Sequence, residues 1–86
     1  MTKIGNSAFY WCKNLKSILI PDSVTKIGKS AFSGCTSLTN IVIPDSVTVI
    51  GEDAFFGCDS LEKIVISDAS LLENAGVPEG VKIVKP

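Results

Sequence analysis

The chain has 86 residues, 45% of them hydrophobic and 20% charged, and its net charge of −1 sets eight lysines against nine carboxylates. That size and composition fit one small globular domain with a limited core. The near-neutral balance, with no arginine, leaves no electrostatic footprint for nucleic acid or an anionic membrane. The absence of histidine excludes histidine-based triads, imidazole metal ligands and imidazole pH switches.

Read from the N-terminus, MTKIGNSAFYW lacks the basic stretch and following apolar run of a secretory signal. No apolar run anywhere approaches the ~20 residues needed to span a bilayer, so no membrane insertion is expected. From Ile4 onward the chain falls into three copies of one 23-residue unit, at about 4–26, 27–49 and 50–70. Nine positions are identical in all three: an Ile-Gly pair, an Ala-Phe pair, a Cys, a Leu, two Ile and an Asp. A fixed period of roughly 20–50 residues marks a solenoid, whose units bury their apolar faces only by stacking. The first Ile-Gly pair follows only three residues, so the expectation is a piece of a longer array or a very short array.

Within the middle unit, Ile41 and Ile43 alternate with Asn40 and Val42, a period-two pattern of a short strand that Pro44 closes. Asp45-Ser46 supplies turn chemistry, and Val47–Ile50 reads as a second short strand on the other side of the coil. After Gly51, Glu52–Phe55 suits a helical or 3₁₀ turn, and Gly57 is placed to end it in a left-handed conformation. Equivalent residues of successive coils should form columns: Ile18, Ile41 and Ile64; Ile20, Ile43 and Ile66; Leu15, Leu38 and Leu61; Phe9, Phe32 and Phe55; Ala8, Ala31 and Ala54. These columns are the expected core. The pattern fails after Ile66. Leu71–Ala75 followed by Gly76 reads as one helical turn, and Val81–Val84 as a last strand laid beside Ile64–Ile66. Residues 71–86 are therefore the expected C-terminal cap.

The segments LxxIxIPDSVTxIGxxAFxGCxSL resemble the BspA-like, treponemal-type leucine-rich repeats found in bacterial surface proteins. The resemblance covers about residues 1–70. It implies a right-handed leucine-rich-repeat solenoid with a parallel β-sheet on one face and short strands and 3₁₀ or helical turns on the other. It also implies an extracellular or cell-surface location and a role in adhesion or protein binding.

Several columns invite a chemical reading. Cys12, Cys35 and Cys58 place one thiol per coil, a ladder with poor tetrahedral geometry and no fourth ligand for zinc; core packing is the expected role. Asp22, Asp45 and Asp68 form a carboxylate column that could in principle take calcium, but without a glycine-rich calcium repeat each Asp reads as the cap of its own turn. No metal or cofactor is expected. If Ile18 and Ile20 point inward, Ser17 and Leu19 point outward, as do Asn40 and Val42, and Lys63 and Val65. Leu19, Val42 and Val65 then form an aliphatic stripe on the open sheet, as a protein-contact face would, or as good strand formers would. Tyr10 and Trp11 depart from the column holding Gly34 and Gly57. With Ile4 and Phe9 they form a candidate surface for self-association through the uncovered first coil. No Ser, Thr or Cys has an identifiable base beside it, so no enzyme is expected. The reading is a non-catalytic protein-binding, adhesion or scaffolding module. Its alternative is a structural spacer or self-associating block whose first coil stacks on another copy.

Overall fold

A computed structural model describes residues 2–86. The chain winds through short parallel strands that stack coil on coil into two three-stranded sheets. One sheet joins β1 (Lys3–Ile4), β2 (Lys26–Ile27) and β4 (Val49–Ile50) in that order. The other joins β3 (Asn40–Val42), β5 (Lys63–Val65) and β6 (Lys82–Val84). Lys3 pairs with Lys26 and Lys26 with Val49, while Ile41 pairs with Ile64 and Ile64 with Ile83. This register turns a sequence period into physical columns, because a one-residue slip would carry each inward isoleucine to the solvent face.

The third side of each coil is a run of tight turns rather than a 3₁₀ helix. Ala31, Ser33 and Cys35 donate to Gly28, Ser30 and Phe32, three residues back. The intervening N–H groups of Ser30, Phe32 and Gly34 point instead to the carbonyls of Glu52, Ala54 and Phe56 in the next coil, at 2.8–3.0 Å. A helix would have used every N–H within its own segment. Here half are turned outward, helped by left-handed residues at Ser7, Ser30 and Asp53, and they bind the coils together. Among the described residues the one 3₁₀ helix is Ala69–Leu72, two residues earlier than the sequence indicated. Asp68 caps it, accepting from the Ser70 amide at 3.0 Å and hydroxyl at 2.5 Å.

Gly28 and Gly51 let neighbouring backbones meet. A Cβ on Gly28 would stand 2.6 Å from the Asn6 nitrogen, and one on Gly51 closer still to the Lys29 nitrogen. The core lies inside the coils. Phe9, Phe32 and Phe55 stack with ring centroids 5.3 and 5.6 Å apart and nearly parallel planes. Val24, Ile27, Ala31, Phe32, Cys35, Leu38 and Ile41 are fully buried. In the first coil Ala8 is exposed and Phe9, Leu15 and Ile18 are half-buried. Residues 17–20, which share the Ile columns of β3 in sequence, form no strand and no ladder pairing with it. That rung has a neighbour on one side only, and the nearest backbone bond is from Thr39 to the Lys16 carbonyl at 3.2 Å.

Candidate protein-contact surfaces

The outward positions of the β3–β5–β6 sheet come first. Asn40, Lys63 and Lys82 form one exposed column, and Val42, Val65 and Val84 the next. Val42 is 54% exposed, while Val65 and Val84 are half-buried. β6 thus lengthens the stripe by one rung, a step missed by counting repeats alone. The register was legible nonetheless, because Lys82-Ile83-Val84 repeats the Lys63-Ile64-Val65 triplet. Ser17 and Leu19 lie beyond the ladder; Leu19 is 90% exposed, the most exposed large apolar side chain among the described residues.

Ile4 and Phe9 fall elsewhere. With Ile18, Leu19, Ile20 and Pro21 they line an almost wholly apolar cavity of about 200 Å³. Gly5, which occupies the column of Gly28 and Gly51, has open space where those two meet backbone.

Tyr10 and Trp11 are separated from that cavity. They line a lateral groove of about 210 Å³ with Ser33, Gly34, Thr36, Phe56, Gly57 and Asp59. Tyr10 and Trp11 meet edge to face, with centroids 5.8 Å apart. Trp11 stands in the column of Gly34 and Gly57 and keeps their left-handed backbone, φ 60° against 77°. For a bulky side chain that conformation costs roughly 1–3 kcal/mol. Its indole packs over Gly34, where a Cβ would lie 3.0 Å from the ring, and the Lys13 ammonium sits 5.5 Å from the ring centroid. Phe56 is 61% exposed, and Ser33 between the two aromatic ends of its column is buried. Sequence reasoning singled out Tyr10 and Trp11 but missed Phe56. The signal was the Tyr10–Ser33–Phe56 column, large, small, large, on three successive coils.

The cysteine and aspartate columns act within the fold. The Cys35 and Cys58 thiols donate to the carbonyls of Phe9 and Phe32, each at 3.1 Å. Burial pushes both thiols up from an ordinary 9.0, Cys58 to about 12, with the neighbouring Cys35 adding to the rise. A raised thiol is a poor nucleophile and a poor ligand at neutral pH. Asp45 accepts a 2.5 Å hydrogen bond from Ser67 of the next coil. The Ser70 hydroxyl, and then the Ser70 amide, hold the Asp68 carboxyl below its usual range. Among the described residues no group of three or more His, Cys, Asp or Glu is placed to hold a metal ion. Among the described residues no helix is long and apolar enough to cross a membrane.

Parallel strands stacked coil on coil in two sheets around an aliphatic ladder define a leucine-rich-repeat solenoid. The family model for the BspA-type leucine-rich repeat region matches residues 2–76, and the chain belongs to that family. It is similar to a leucine-rich repeat protein of Bacteroides ovatus, with 28% identity and a TM-score of 0.79 over 99% of this chain and 28% of that one. A leucine-rich cell surface protein of Faecalibacterium prausnitzii matches at 30% identity and TM-score 0.61, over 99% of this chain and 31% of that one. The Treponema pallidum leucine-rich repeat protein matches at 30% and 0.55, over 98% and 45%. The chain thus spans less than half the length of each. No curated protein matches at a significant level. Leucine-rich repeat proteins are commonly protein-binding and generally non-enzymatic.

Proposed function

We propose that this chain is a non-catalytic protein-binding module of a bacterial cell-surface protein, serving adhesion or scaffolding. It makes contact through the outer face of the β3–β5–β6 sheet. The observation that carries the reading is the outward Val42–Val65–Val84 column, exposed at Val42 and half-buried at Val65 and Val84, flanked by the exposed Asn40, Lys63 and Lys82. An apolar centre with a polar rim is the anatomy of a contact surface. The likeness to a protein described as a leucine-rich cell surface protein supports the location. Immobilising the 86-residue chain and passing a panel of purified extracellular proteins over it tests the reading. A saturable partner lost in Val42→Lys, with the melting temperature kept, supports it; a panel bound equally by chain and variant contradicts it.

A second reading rests on a different observation, the apolar cavity at Ile4, Phe9, Ile18 and Leu19 beside the open column position at Gly5. In this reading the first coil stacks on another copy of the chain. Sedimentation across a concentration series checks it, and a monomer at every concentration would end it.

A further inference from the structure

We propose that the lateral groove between Tyr10 and Phe56 binds a proline-rich segment in the polyproline II conformation, with a basic residue at one end. The groove lies on the turn side of the solenoid and is separate from the sheet face. Its walls are set by the coil spacing. Tyr10, Ser33 and Phe56 occupy one column, as the backbone bonds from Trp11 to Ser33 and from Gly34 to Phe56 show. Successive coils advance by 5.3 and 5.6 Å at the phenylalanine stack, so the two aromatic walls rise from backbone positions about 11 Å apart.

One turn of polyproline II takes three residues at roughly 3.1 Å each, close to that spacing. Such a segment laid along the solenoid axis sets one proline against Tyr10 and the proline a turn later against Phe56, with the small Ser33 beneath the turn between them and the Trp11 indole, packed over Gly34, beside it. A helix, about 10–12 Å across with its side chains, is too wide for the notch. Polyproline II also has no internal hydrogen bonds, and its free carbonyls face the hydroxyls of Tyr10, Ser33 and Thr36, which can donate. Asp59, at the Phe56 end of the lining, complements a lysine or arginine. Aromatic-lined grooves are the recurring receptor for this conformation. The left-handed backbone of Trp11 is a strained feature at the same place, kept where the other coils use glycine.

Trp11 is the chain's one tryptophan, so its fluorescence reports occupancy. The probe is an acetylated nonapeptide of repeated Pro-Pro-Leu ending in arginine. The expected result is a saturable fluorescence change, weakened at least about tenfold by Phe56→Ser or by replacing the peptide's prolines with glycine. Asp59→Asn should remove the advantage of the arginine-ended peptide over one ending in leucine. Both substituted side chains are exposed, and an unchanged melting temperature verifies the fold. Should Phe56→Ser misfold, Trp11→Gly replaces it, read by calorimetry; it installs the residue that holds this backbone in the other coils and should also abolish binding. No saturable change, equal binding of the glycine peptide, or unchanged affinity of a folded groove variant would overturn the proposal. So would saturable binding of a glucose hexasaccharide with none of the peptide, which would make the groove a glycan site.

Discussion

Gly5, Gly28 and Gly51 share one column but not one environment. The first has open space where the other two meet backbone. Gly28→Ala should therefore lower the unfolding free energy by about 1–3 kcal/mol through forced separation of coils. Gly5→Ala should stay within about 0.5 kcal/mol of the parent. Urea denaturation of the two variants measures the difference directly. The cysteines give a second residue-scale expectation. Cys35 and Cys58 are neutral thiols whose folded pKa is raised, so their contribution to stability is whole below pH 9 and fades above it, for Cys58 as the pH climbs toward about 12. Stability should fall across that interval. At neutral pH a thiol reagent should label the half-buried Cys12 in the folded chain, and Cys35 and Cys58 only after unfolding.

At the scale of elements, the strands and their register were legible because the repeat fixes both the inward isoleucines and the 23-residue step between partners. Ile41, Ile64 and Ile83 show how far that reasoning reaches, since even the last strand follows it without the full motif. Two features were not legible. A run such as Gly28–Cys35 closes three-residue turns in a way that suggests a 3₁₀ helix; that alternate N–H groups leave for the next coil depends on the neighbour's backbone, not on the run's own residues. Residues 17–20 have the strand pattern of their equivalents, yet pattern alone does not supply the second neighbour that secures a ladder. Phe56 was overlooked for a related reason: its column holds three different residues, so it stands out from no repeated identity and acquires meaning only beside Tyr10 two coils away. The last strand, β6, is the element to test. β6 covers the β5 edge and keeps Ile64 and Ile66 buried. Removing residues 81–86 should lower the melting temperature and expose an apolar edge, seen as a rise in light scattering on heating.

For the whole molecule, a net charge of −1 conceals a strong polarity. Residues 1–26 carry four lysines and one aspartate, whereas residues 50–86 carry three lysines and seven carboxylates. If copies stack through the first coil, the acidic end is the complementary partner for the basic one. The association should then weaken as salt is raised from about 50 to 500 mM, because exposed charges are screened beyond a Debye length. Sedimentation at the two ionic strengths reads that change. On the proposed reading the same architecture separates stability from recognition, since the columns inside the coils hold the fold and the columns outside are free to vary. The most direct test of that separation is the affinity of the double variant Val42→Lys/Lys63→Glu for a protein captured by the parent chain, measured beside its melting temperature. Both side chains are exposed, so the account predicts an unchanged melting temperature and an affinity reduced at least about tenfold. An unchanged affinity in the folded variant would contradict it.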